Sequence, residues 1–243
     1  MERRNARRSR EIVVPGDVLG DSDAFDAGDN AYEAGGKIRS LVAGVKSCQG
    51  GAVGVIPMSG CYMPETGDTV IGVISDIGPS NWMADIGAPY PAPLHVSEVP
   101  WKVEFGDTSR FLTVGDVVLM KVLLVDESKK IKVTMKDSGL RKIEGGELVT
   151  VPHSRISRVI GKGGSMIQML KEMTDCRILV GQNGRIWIDG DDENVAVAAD
   201  AVRLIDEQAR APNLTEMVRD FIAGKIPQSA LSDGGDYDGE GSE

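Results

Sequence analysis

The stretch Arg158-Val159-Ile160-Gly161-Lys162-Gly163-Gly164-Ser165-Met166-Ile167 decides how this chain is read. Three glycines in four residues strip side chains from a turn, so a ligand's backbone can approach the protein's own. Apolar residues then recur at helical spacing, at Met166, Ile167, Leu170 and Met173. A helix that starts directly after such a turn aims its unpaired N–H groups, and the positive end of its dipole, at whatever lies there. That arrangement is a site for phosphate.

The surrounding residues narrow whose phosphate it is. A Walker loop requires Gly-Lys followed by Ser or Thr, and here Gly161-Lys162 is followed by Gly163. The dinucleotide fingerprint requires a third glycine where Met166 stands, and a strand before the turn. What precedes it is a short helical stretch holding Ile156, Val159 and Ile160, after a Pro152/Ser154 start signal. Gly-x-x-Gly between two short helices is the turn with which a KH domain clamps about four nucleotides of a single strand. Outward from the turn, the other pieces of that fold follow in order. Glu147 to Val151 reads as a strand, Arg177 to Val180 as another, and Asn183-Gly184 as a hairpin turn. Arg185 to Asp189 returns, and Asp191, Asp192 and Glu193 open a helix buried through Val195, Ala198, Val202 and Ile205. This is the βααββα order of a type I KH domain, expected over 145–210. A further helix follows at 211–226.

Upstream, the period is that of strands. Val70–Ile77, Asn81–Ile86, Ala92–Val96, Val117–Val125 and Lys130–Met135 are five strands with a long connection between the third and fourth. That spacing predicts a five-stranded OB-fold barrel over 65–138. Residues 12–64 carry short β segments broken by Gly and Pro and read as a small β docking domain. The expected fold class is multidomain α+β.

Charge is uneven. The total is −10, but residues 1–10 carry +4 through Arg3, Arg4, Arg7, Arg8 and Arg10, and 141–189 carry +3. Five acids and no base close the chain from Asp233 to Glu243. A flexible basic arm is expected at 1–11 and a disordered acidic tail at 227–243. The glycine turn thus lies in a net basic segment, and the overall acidity does not exclude a local phosphate-binding face. Cys48, Cys61 and Cys176 are too scattered for a zinc site and read as reduced thiols of a cytoplasmic protein. No run of 18 apolar residues or secretory signal appears, so no membrane is expected. His95 and His153 are far apart in sequence, and neither joins a nucleophile or a metal-ligand set. No cofactor, metal or catalytic residue is expected.

An amino-terminal β module, an S1-type OB fold and a KH domain in this order resemble the KH-containing RNA-binding cap subunits of the archaeal and eukaryotic exosome. The resemblance rests on Val14-Pro15-Gly16-Asp17, Tyr62-x-Pro64-x-x-Gly67-Asp68-x-Val70-Ile71-Gly72, Trp82-x-x-Asp85 and Val114-Gly115-Asp116. It continues in Gly161 to Met166 and Gly181-Gln182-Asn183-Gly184-Arg185-Ile186-Trp187. It implies single-stranded RNA as ligand and a trimeric cap on a hexameric ring of RNase PH-like subunits, with room for mixing with a zinc-ribbon cap subunit. It also implies that Gly181, Asn183 and Gly184 form a structural turn rather than an RNA contact.

The candidate RNA-binding residues are Gly161, Lys162, Gly163 and Gly164, with Arg155, Arg158, Trp82 and Arg110. Trp82 has two readings, a base-stacking ring or the filling of a small barrel. Trp101, Phe105 and Phe111, with Lys102 and Arg110, form either an RNA-facing loop or a packed one. Lys129, Lys130, Lys132 and Lys136 form a basic hairpin that meets phosphates or is a solvated edge. Two functions follow: non-catalytic RNA capture for 3′-to-5′ degradation, or chiefly a scaffold for the ring with incidental RNA binding.

Overall fold

The computed structural model describes residues 11–58, 60–126, 129–209 and 211–226. The basic arm up to Arg10 and the acidic tail from Pro227 lie outside them. The chain divides into two compact units, up to Gly60 and from Cys61 onward. The boundary falls ahead of the expected one at Pro64 because Tyr62 is buried in the core of the second unit. Its hydroxyl donates to Asp68 Oδ2 at 2.5 Å.

In the first unit, β1 (Ile12–Val13), β2 (Val18–Asp21), β3 (Asp26–Ala27), β4 (Ala31–Ala34), β5 (Lys37–Ser40), β6 (Gly44–Gln49) and β7 (Ala52–Pro57) form two small sheets. Their orders are β1-β6-β7-β3 and β2-β5-β4. Val13, Leu19, Ile38, Val53 and Val55 make its core.

The second unit begins with a barrel of β8 (Thr69–Ile77), β9 (Asn81–Asp85), β10 (Ala92–His95), β11 (Val117–Val125) and β12 (Ile131–Thr134). They pair in the order β8-β9-β10-β12-β11, and β11 pairs with β8 to close the ring. Closure leaves no edge among the five. An additional strand, β13 (Arg141–Ile143), pairs with β11. Its single apolar residue gives no period to read. Alternation decides the two faces of each barrel strand. Val70 and Ile74 of β8, and Val118, Met120 and Val122 of β11, point into the barrel, while Ile71, Val117 and Leu119 point out.

The KH domain comprises β14 (Glu147–Thr150), α1 (Ile156–Ile160), α2 (Ser165–Thr174), β15 (Arg177–Val180), β16 (Arg185–Asp189) and α3 (Asp192–Glu207). Its antiparallel sheet runs β14-β16-β15. Asp191 caps α3 by accepting from Glu193 N. Helix α4 (Leu214–Lys225) buries Leu214, Val218 and Ile222 in the same core as α2 and α3, so it is part of this domain's packing rather than an appendage. The sheet is covered on both faces. Val149, Ile178, Ile186 and Ile188 meet the helices, whereas Leu148, Leu179 and Trp187 meet Ile71, Leu119 and Ile143 on the outside of the barrel.

Candidate nucleic-acid interface

Helix α1 stops at Gly161, whose φ of 76° and ψ of 175° suit glycine alone. A methyl group there would lie 2.7 Å from Met166 N and Cβ. Gly163 (φ 62°) and Gly164 (φ 84°) continue in the left-handed region, and α2 begins at Ser165 with no side chain capping it. A methyl group at Gly163 would meet nothing within 4 Å. Gly161 is therefore small so that the chain can fold back on α2. Gly163 leaves its backbone open to solvent.

Lys162 and Arg158 are exposed beside this opening. Among the described residues neither forms an ion pair, so both charges are available to a phosphate. Arg155 differs from what its sequence position predicts. Its Nε lies 3.3 Å from Asp206 Oδ1 on α3, in an ion pair without hydrogen-bond geometry. Part of its charge is thus already answered inside the domain.

The barrel supplies a second surface. The outward side of β9 and β10 carries Asn81 opposite His95 and Met83 opposite Pro93. His95 Nδ1 lies 2.8 Å from Ser97 Oγ and accepts from Ser97 N at 3.1 Å, capping the 3₁₀ turn Val96–Glu98. Sequence pattern places His95 at a strand end but gives no sign that Asn81 sits across from it. Trp82 is 0% exposed, and its Nε1–H donates to Thr108 O (3.2 Å) and Leu112 O (3.3 Å). It has no face free for a base, so of its two readings the barrel core holds. Arg110 is exposed at the surface and paired with Asp107 at 3.2 Å. Such an exposed pair is weak and readily exchanged for a phosphate. Trp101 and Phe111 stack with ring centroids 5.9 Å apart and 9° between planes. Both are half-buried against the barrel core. Lys129, Lys130, Lys132 and Lys136 are exposed along the β11–β12 hairpin and just after it.

Gly181-Gln182-Asn183-Gly184 fastens the two domains together. Asn183 is 6% exposed. Its Nδ2 donates to Ile71 O and Ile86 O, each at 2.8 Å, and its Oδ1 accepts from Ile71 N at 3.3 Å. Gly181 is small because a methyl group would meet Asn183 Oδ1 at 2.4 Å and Ile71 N at 2.9 Å. Gly184 turns at φ 89°, where a methyl group would strike Val151 O. Beside them Arg185 donates to Asp85 O at 2.5 Å and to Asp85 Oδ2 at 2.6 Å. Burial works to raise the Asp85 carboxyl, but the Gly87 N–H and the Arg185 guanidinium outweigh it and hold the group below its ordinary 3.8. Among the described residues no three His, Cys, Asp or Glu side chains converge on a metal position. No helix there is long and apolar enough to cross a membrane.

A closed five-stranded S1-type barrel, locked to a type I KH domain that bears an open Gly-x-x-Gly turn, defines the S1–KH class of proteins. Family models match in the same order. The N-terminal region of exosome complex exonuclease RRP4 matches residues 12–48, the S1 domain of RRP4 61–125, and the KH domain 146–204. The chain is 46% identical over 213 residues to exosome complex component Rrp4 of Methanosarcina mazei, covering 88% of this chain and 82% of that one. It is 42% identical over 218 residues to the Rrp4 of Thermoplasma volcanium, covering 88% and 90%. The crystal structure of an exosome complex RNA-binding protein superposes with a TM-score of 0.64 at 35% identity, over 68% of this chain and 97% of that one. The chain belongs to the Rrp4 family of exosome complex components.

Proposed function

We propose that this chain is a non-catalytic, RNA-binding cap subunit of an exosome, which captures single-stranded RNA and threads it toward 3′-to-5′ degradation on other chains. Such chains form a trimeric cap, alone or mixed with a zinc-ribbon cap subunit, on a hexameric ring of RNase PH-like subunits in the cytoplasm. The carrying observation is the opening at Gly163, flanked by Lys162 and Arg158, which form no ion pair among the described residues. It sits in a domain that Asn183 fixes to an OB barrel. Open backbone and positive charge suit a sugar–phosphate strand, and neither requires a particular base. The fixed junction means that a strand held at the turn has a constant position relative to the barrel surface.

A specific observation also favours the scaffold reading. The N-terminal unit exposes Ile12, Val14, Leu41 and Ile56, apolar surface suited to docking on a protein. Replacing Lys162 and Gly163 together by Asp separates the two. With the reconstituted ring, RNA capture predicts that degradation slows while assembly persists. Unchanged degradation would leave the scaffold reading standing.

A further inference from the structure

Phe105 is 85% exposed, the most exposed of the large apolar side chains described. A lone exposed apolar residue is ordinary, but this one is presented by a loop that is fastened on both sides. Next to it, Gly106 N donates to Pro79 O at 3.0 Å, and Asp107 N to Glu104 O at 3.1 Å. Thr108, 2% exposed, donates its hydroxyl to Gly78 O at 2.7 Å. The Trp82 indole grips Thr108 O and Leu112 O from inside the barrel. Trp101 and Phe111 stack on each other and pack on the core. Three of the four aromatic rings in and under this loop are thus occupied in holding it, and the fourth faces water.

The place where it is held points to a ligand. Pro79 and Gly78 belong to the turn between β8 and β9, the first and second barrel strands. In OB folds that turn borders the face used for oligonucleotides. Asn81 and His95 lie at the same end of the outward β9–β10 face, since Gly78 N donates to Asn81 O and Val96 N to Ser80 O. Arg110 is on the same loop. An exposed aromatic ring and a cation on one loop, itself bonded to the turn that borders this face, suit a base stacked on the ring and a phosphate met by the guanidinium.

We propose that Phe105 stacks on a base of bound single-stranded RNA, a role that rests on the RNA-binding reading above. The test titrates the full chain, Phe105→Ala and Phe105→Trp with a single-stranded oligoadenylate at several salt concentrations. Phe105→Ala is expected to weaken binding about fivefold or more. Because no charge is removed, the slope of log affinity against log salt stays as in the unsubstituted chain. Phe105→Trp is expected to restore affinity, and its added emission should be quenched by the oligonucleotide. If the unsubstituted chain binds and Phe105→Ala binds equally well, the stacking role is overturned while the RNA reading stands. No binding by any of the three overturns both. If Phe105→Ala spares RNA binding but blocks assembly with the ring subunits, the phenyl group meets a protein instead, and the proposal is wrong.

Discussion

Gly161 and Gly163 both turn at positive φ, yet the space around them assigns them different work. Gly161 lies against Met166, so Gly161→Ala combines a forbidden backbone region with a steric clash. It is expected to cost about 1–3 kcal/mol in urea unfolding. Gly163 faces open solvent in the left-handed region, where Asp is among the residues best tolerated. The Lys162→Asp/Gly163→Asp double variant should therefore keep its unfolding midpoint within a small shift while binding RNA more weakly. The slope of log affinity against log salt should become shallower by about 0.7 for each phosphate that the variant no longer neutralises. An unchanged slope would mean that the turn does not meet phosphate. The glycine turn is legible in the sequence because glycine spacing encodes backbone shape directly. Trp82 is not, because an aromatic residue on a strand of alternating pattern fits a buried or a stacking role equally well. Only the closed barrel decides it. The ion pair of Arg155 is not legible for a related reason: Asp206, its partner, is remote in the chain and arrives only when α3 folds over α1.

Between elements, the contact to probe is the Gly-x-Asn-Gly turn against β8. Asn183→Ala takes the acceptor from Ile71 N and the donor from Ile86 O, while Ile71 O keeps Arg185 Nη1 at 3.3 Å. Each buried group left unsatisfied costs about 1–3 kcal/mol. The expected result is a lower unfolding midpoint and a KH transition that separates from that of the barrel. A single transition at the original midpoint would contradict this view of the junction. Asp85 adds a pH dependence. Its folded carboxyl is held below 3.8, so its stabilisation is present above that value and is lost as pH falls through the lowered one. Thermal melts should show stability declining in acid, and Asp85→Asn should flatten that part of the profile. Strand and helix periods are largely readable here. Leu148, Leu179 and Trp187 alternate with the helix-facing residues of their strands, so both faces of the KH sheet are apolar. What covers the second face is not readable, because the outward residues Ile71 and Leu119 look like any other barrel positions. Nor is β13, too short and polar to carry a period.

Over the whole chain, the net charge of −10 argues against tight RNA binding by one copy, and the proposed cap supplies three. The native mass of the assembled complex should therefore correspond to three cap chains on a six-chain ring. Another ratio would require a different cap. Order of domains is the most legible feature at this scale, since three modules in fixed succession leave few families to consider. The most direct measurement incubates the pure full-length chain with end-labelled single-stranded RNA and runs the mixture on native and denaturing gels side by side. The predicted result is RNA retarded on the native gel and undiminished in length on the denaturing one. RNA that is shortened by the pure chain, or that is not retarded even at chain concentrations high enough to reveal weak single-copy binding, would contradict a non-catalytic capture subunit.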